Sequence, residues 1–162
     1  MKKVFLFFAV LAFLSGCKKG CDKEAGSTVV SDTEKTMVTN YLATNSITNA
    51  VQLSNSGLYY VITAQGDSKK PGQCDYVSVK YKGFLENGSV FEDATTTPAS
   101  FYLYQLVEGW RRGIPLIGKG GKIKLFIPPS LAYGPGGLRR PDGTYVIPAN
   151  QIIIFEIELM SI

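Results

Sequence analysis

Between Leu58 and Leu159 the chain repeatedly sets a short β-branched or aromatic run against a turn, and only one interval there leaves room for a helix. Leu58-Tyr59-Tyr60-Val61-Ile62-Thr63 is such a run, and Gly66-Asp67 follows it as a turn. From Tyr76 to Tyr81 the alternation is strict: Val77, Val79 and Tyr81 fall on one face, Ser78 and Lys80 on the other. That is the period of two of a half-buried strand. Glu86-Asn87-Gly88-Ser89 reads as a hairpin turn feeding Val90-Phe91, and Ile123 to Ile127 and Ile152 to Leu159 complete the strands. The helical interval runs from about Gly109 to Ile117, and Pro115 limits its length. Many antiparallel strands with one central helix predict an α+β domain, a curled antiparallel β-sheet wrapped over one short helix. No internal repeat and no second core is visible.

Upstream, residues 32–44 place Met37, Tyr41 and Leu42 near helical spacing, with Ser31 or Asp32 as the cap. Residues 18–31 are polar and rich in Lys, Gly and Ser, which predicts a flexible stalk. The extreme N-terminus has another character. Lys2-Lys3 precede an apolar run from Val4 to Leu14, too short for a bilayer core that needs about 20 residues. A basic start, a short apolar middle and small residues at the end make a signal peptide. Its end, Leu14-Ser15-Gly16-Cys17, resembles the bacterial lipobox, in which the cysteine is acylated and the chain is cut before it. That resemblance implies a chain anchored to a membrane through Cys17 rather than spanning it. The expected place is the cell envelope, on the periplasmic face of the outer membrane, with the cell surface as the alternative.

Removing residues 1–16 from 162 leaves 146, with 15 of the 17 basic residues against 13 acidic ones. This near-neutral balance gives no case for nucleic acid, and Arg111-Arg112 and Arg139-Arg140 read as solvated loop charges. Cys21 and Cys74 remain, in a compartment that permits a disulfide; they could pair or stay free. There is no histidine, so Ser-His and Cys-His nucleophiles and the usual general base are excluded. Widely spaced cysteines without histidine make no metal signature, and neither metal nor cofactor is expected.

Four stretches carry a family resemblance. The first is Val77-Ser78-Val79-Lys80-Tyr81-Lys82-Gly83 with Asn87-Gly88 and Val90-Phe91-Glu92. The second is Val107-Glu108-Gly109-Trp110 followed by Gly113, and the third is Ile127-Pro128-Pro129-Ser130-Leu131-Ala132-Tyr133-Gly134. The fourth joins Ile147-Pro148-Ala149-Asn150 to Phe155-Glu156-Ile157-Glu158-Leu159. In this order and spacing they resemble the FK506-binding-protein (FKBP)-type prolyl isomerases, in their bacterial lipoprotein branch. The resemblance divides the chain into a signal peptide (1–16), a lipidated stalk (17–31), a short helical leader (32–56) and an isomerase-type domain (57–162).

It also implies a shallow aromatic pocket. Tyr81, Phe91, Trp110, Tyr133 and Phe155 would supply walls and floor, Leu106, Val107 and Ile147 would stand beside them, and Glu92 would act at the rim. Three departures from the family pattern matter. The rim acid is Glu92 where aspartate is usual, Ala99 opens the pocket where some relatives carry an aromatic, and Pro115 predicts a kink. The segment Phe101 to Val107 is shortened, and the short loop from Tyr133 to Ile147 leaves no inserted domain. The implied partners are proline-containing segments of exported polypeptides, with FK506-type macrolides as inhibitors. The short leader predicts a monomer. Two other readings compete: a chaperone or adaptor that binds proline segments with little turnover, and a purely structural lipoprotein.

Overall fold

The computed structural model describes residues 28–162. The expected signal peptide, Cys17, Cys21 and most of the stalk lie outside the described residues. Helix α1 (Asp32–Thr44) leads into β1 (Val51–Gln52) and β2 (Tyr59–Ala64). Then come β3 (Tyr76–Leu85), β4 (Val90–Asp93), β5 (Ala99–Tyr102) and helix α2 (Glu108–Gly113). Strand β6 (Lys122–Ile127), the small hairpin β7 (Leu138–Arg139) and β8 (Tyr145–Ile147), and β9 (Ile153–Ser161) follow.

The main sheet runs β1-β2-β6-β9-β3-β4, with β5 also on β3, and its pairs are antiparallel. Strand β3 organises one side. Its first half pairs with β5 (Val77 opposite Phe101), its second half with β4, and its other edge with β9. The turn before β4 forms as the sequence predicts: Gly88 adopts φ +82°, and the Ser89 N–H donates to Asn87 Oδ1 at 2.9 Å.

The inner face carries the main core. Val77, Val79 and Tyr81 of β3 meet Ile123, Leu125 and Ile127 of β6 and Ile153, Phe155, Ile157 and Leu159 of β9, all buried. Helix α2 closes this face. Two of its six residues, Gly109 and Gly113, lie one turn apart and face β6. A Cβ on Gly109 would come within 2.5 Å of the Ile127 side chain, and one on Gly113 within 2.6 Å of Leu125. The missing methyls therefore let the helix backbone sit directly on the sheet. After Gly113 the chain tightens into a 3₁₀ turn, Ile114–Leu116, in which Pro115 stops further α-helix.

The outer face is divided, and here the expectation of a single core is corrected. Residues Phe126, Ile152 and Ile154 form a second buried cluster with Val38 and Leu42 of α1. Helix α1 thus packs over half of the sheet's back, where an antiparallel sheet commonly faces water. Its start is a capping box: the Glu34 N–H donates to Ser31 Oγ, and the Ser31 N–H to Glu34 Oε2, each at 3.3 Å. Val30, just before it, is 4 % exposed and belongs to the main core. The other half of the back is charged. Lys124–Glu156 (3.0 Å), Lys122–Glu158 (3.5 Å) and Lys82–Asp93 (3.0 Å) lie side by side there. Open pairs of this kind are screened by water and add little to stability.

Candidate functional site

A six-residue helix is far too short to persist alone, so α2 needs external fixings. Glu108, in its first turn, binds Arg112 Nε at 2.9 Å and Arg111 Nη1 at 3.1 Å, with all three side chains largely buried. Gln73 clasps the same helix from outside: its Nε2 donates to the Arg111 carbonyl at 2.8 Å, and its Oε1 accepts from Arg111 Nε at 3.2 Å. Arg111 and Arg112 are therefore helix fastenings and not the solvated loop charges expected from the sequence. The neighbouring Cys74 is disulfide-bonded, and the chain's other two cysteines lie outside the described residues.

Fixed in this way, α2 presents Trp110 upward as a floor. The indole is 3 % exposed and nearly perpendicular, at 86°, to Tyr81 (5.0 Å between centroids), Phe155 (4.9 Å) and Phe101 (6.3 Å). Edge-to-face contacts of this kind are favourable for aromatic quadrupoles, and they leave the rings as walls around the indole. Its Nε1–H is buried and has no hydrogen-bond partner among the described residues.

Above the floor lies a cavity of about 150 Å³, lined by Tyr81, Glu92, Phe101, Leu106, Val107, Trp110, Tyr133 and Phe155. An apolar cavity on the order of 150 Å³ accommodates a benzene ring, so a five-membered pyrrolidine ring fits the available space. A larger depression of about 390 Å³ lies on the charged outer face, but paired lysines and glutamates dominate its lining and Tyr81 is the one aromatic residue among the described residues that line it. The smaller cavity is the one with the chemistry of a binding site.

Of the residues expected from the sequence, Tyr81, Glu92, Leu106, Val107, Trp110, Tyr133 and Phe155 line this cavity together. Phe91 and Ile147 stand behind the lining. Phe91 meets Phe155 edge-on at 5.5 Å, and Ile147 is 1 % exposed within the main core. One lining residue, Phe101, was absent from the expected set. It comes from β5, a four-residue edge strand whose short alternation gave little warning.

The rim depends on a bulge. Gly83 pairs with Glu92, yet Phe84 pairs with Val90, so β4 carries an extra residue at Phe91. Strict alternation would send Phe91 and Glu92 to opposite faces; the bulge lets both serve the same side. Glu92 then reaches Tyr81, whose hydroxyl donates to Oε1 at 2.6 Å. Burial, and then this bond to a carboxylate, push the Tyr81 phenol far above the ordinary tyrosine range. Burial, and then the Glu92 charge, also raise Tyr133. Both hydroxyls stay protonated at physiological pH; the Tyr81 proton is committed to Glu92, and the Tyr133 hydroxyl can donate toward a ligand carbonyl. Next to Glu92, the Asp93 carboxyl is held down at about 2 by hydrogen bonds from Thr95 and then Lys82, on the solvent side.

Residues 67–160 match the model of the FKBP-type peptidyl-prolyl cis-trans isomerase domain. Over 114 residues the chain is 41 % identical to the FKBP-type peptidyl-prolyl cis-trans isomerase FkpA of Escherichia coli, covering 69 % of this chain and 40 % of that protein. Over 124 residues it is 35 % identical to the outer membrane protein MIP of Legionella longbeachae, covering 75 % and 51 %. The chain thus spans about half or less of the length of these relatives. Among solved structures, Escherichia coli FkpA superposes with a TM-score of 0.66 at 34 % identity, over 79 % of this chain and 58 % of that one. A Pseudomonas syringae peptidyl-prolyl cis-trans isomerase does so at 0.66 and 26 % identity, over 84 % and 98 %. By its domain match and its curled sheet over α2, the chain belongs to the FKBP-type peptidyl-prolyl cis-trans isomerase family.

Proposed function

We propose that the chain is a peptidyl-prolyl cis-trans isomerase (a rotamase) that assists the folding of exported polypeptides. The observation that carries this reading is the cavity of about 150 Å³ floored by Trp110 and walled by Tyr81, Phe101, Tyr133 and Phe155. Rotation about an X–Pro bond meets a resonance barrier of ~18–20 kcal/mol and takes tens to hundreds of seconds unaided. Raising such a rate from roughly 10⁻² to about 10³ per second requires near 7 kcal/mol of selective stabilisation. No covalent bond breaks, so the absence of histidine from the sequence is no obstacle.

At the perpendicular transition state the amide loses its resonance and its carbonyl becomes less polar. An apolar aromatic cavity tolerates this twisted form better than the planar one, which is differential binding of the transition state. Trp110 supports the proline ring, Tyr133 offers a hydroxyl near the carbonyl, and Glu92 fixes Tyr81 at the rim and accepts from ligand or backbone donors. Macrolides of the FK506 type compete for the same cavity. The chain works as a monomer in the cell envelope, tethered by lipid at Cys17; metabolic labelling that survives Cys17→Ser would refute the tether, and a scattering mass of twice the chain would refute the monomer.

The test of the activity is cis–trans exchange of a short X–Pro peptide, followed by NMR with and without FK506. Acceleration abolished by the macrolide is expected. Binding without acceleration would make the protein a proline-segment chaperone instead.

A further inference from the structure

The Tyr133 hydroxyl enters the cavity from an irregular stretch. Pro129–Leu131 forms one 3₁₀ turn, Ala132 takes φ −130°, ψ −110°, and Gly134–Gly136 forms another turn. Little within this stretch fixes its start. Pro128, the residue preceding the turn, gives no side-chain cap, and Pro129 has no N–H to donate. The N–H groups of Leu131 and Ala132 are taken by the Pro128 and Pro129 carbonyls. That leaves the Ser130 N–H, half-buried between two buried prolines and Leu131.

It is not left unpaired. Glu34 of α1, 96 positions away in sequence, accepts the Ser130 N–H on Oε1 at 2.8 Å and the Ser130 Oγ–H on Oε2 at 2.9 Å. The same carboxylate is the far member of the α1 capping box, facing the Ser31 N–H and Oγ at 3.3 Å. One side chain therefore fastens two chain segments, and its shorter bonds go to the distant one. Charge-assisted bonds to a partly buried donor pair are the stronger kind. The helix that supplies Glu34 cannot drift, because Val38 and Leu42 anchor it in the second cluster and Val30 in the main core. It also lies outside residues 67–160, the stretch that the family's domain model matches.

We propose that Glu34 is a positioning residue for the reaction, holding the Pro129–Leu131 turn so that the Tyr133 hydroxyl keeps its place in the cavity. This rests on the isomerase reading above. It makes the leader helix part of the working site, and not only a connection between stalk and domain.

The experiment uses the full chain in detergent, with tyrosine rings labelled for NMR, and compares Glu34→Ala, Glu34→Gln and Ser31→Ala. Glu34→Ala should shift and broaden the Tyr133 ring signals while leaving those of Tyr81 in place. Glu34→Gln keeps one acceptor for the Ser130 N–H and should recover part of the parent spectrum. Ser31→Ala weakens the α1 cap without touching Ser130, and should lower thermal stability with Tyr133 unmoved. In the exchange assay, Glu34→Ala should lower kcat/KM about three- to tenfold in the parent, and by less than about 1.5-fold in a Tyr133→Phe background, since coupled groups are non-additive. Equal losses in both backgrounds, or an unmoved Tyr133 ring in Glu34→Ala, would overturn the proposal. If the parent shows no exchange catalysis, the isomerase reading fails, and the ring signals still decide whether Glu34 holds Tyr133.

Discussion

Replacing Gly83 by alanine tests whether the rings behind the cavity set its shape. Gly83 is buried on the inner face of β3, and a Cβ there would lie 2.5 Å from Phe91 Cζ, 2.8 Å from Phe91 Cε2 and 2.9 Å from Phe155 Cε1. Carbon atoms are comfortable at about 3.5 Å, so Phe91 must retreat by about 1 Å and Phe155 by about 0.6 Å. Phe91 is half-exposed and has somewhere to go. Phe155, 2 % exposed and bounded by Trp110 and Tyr81, moves only toward the cavity. Overpacking of this kind costs about 1–3 kcal/mol, and replacing glycine within a strand returns about 0.5–1 kcal/mol. The net loss of about 0.5–2 kcal/mol corresponds to a Tm lower by about 2–8 °C for a domain of this size. The effect on the site should be larger than the effect on stability. A misplacement of 1 Å can cost about a hundredfold in rate, so a 0.6 Å intrusion should reduce kcat/KM and FK506 affinity by about tenfold. Thermal melting and NMR exchange read the two quantities, and Gly136→Ala, whose Cβ would meet nothing within 4 Å, is the control. Unchanged melting and turnover in Gly83→Ala would refute the ring contacts. A lower Tm with full turnover of the folded fraction would show that Phe155 does not transmit the strain to the cavity.

Other outcomes follow from the same geometry. Tyr81→Phe removes the 2.6 Å bond to Glu92 and should cost about 1 kcal/mol in denaturant unfolding, because the rim carboxylate regains water; a loss above about 3 kcal/mol would place Glu92 in a drier setting than described. Tyr81 and Tyr133 should be the last phenols to ionise in an ultraviolet pH titration. Because folding raises their pKa, the stability they contribute is complete below pH ~10 and is lost as pH rises toward the raised values. Early ionisation of either would contradict its burial. Cys74 is disulfide-bonded, and acylation at Cys17 would leave Cys21 as the other thiol, so non-reducing peptide mapping should link Cys21 to Cys74. Reduction should then lower stability by roughly 2–4 kcal/mol; a Cys17–Cys74 link would argue against the lipid anchor.

The parts legible in the sequence were those that obey local periodicity. The β3 alternation placed Val77, Val79 and Tyr81 on the inner face, Asn87-Gly88 marked the hairpin, and Pro115 ended α2. The cavity residues were legible through family likeness, since an isolated Trp110 or Phe155 reads as ordinary core. What was hidden depends on tertiary context. The bulge at Phe91 breaks the period of two, so no alternation rule puts Phe91 and Glu92 on one side. The second cluster was invisible because Phe126, Ile152 and Ile154 sit in the unbroken apolar runs Leu125-Phe126-Ile127 and Ile152-Ile153-Ile154-Phe155, with nothing to say that α1 would cover their outer face. The Glu34–Ser130 contact joins residues 96 apart, a pairing that one sequence does not announce.

Strand β9 is made last among the described elements, yet it lies in the middle of the sheet, with β6 on one side and β3 on the other. Its Phe155 walls the cavity while its neighbour Ile154 lies under α1, so neither side of the sheet can be completed before it arrives. In a chain emerging from a ribosome, β1-β2-β6 and β3-β4-β5 thus cannot be joined into one sheet until Ile153–Ser161 has been made, because β9 is the strand between them. Non-local closure of this kind is slow as well as late. Under the export proposed above, a keystone strand made after the other described strands would keep them pliable for the crossing.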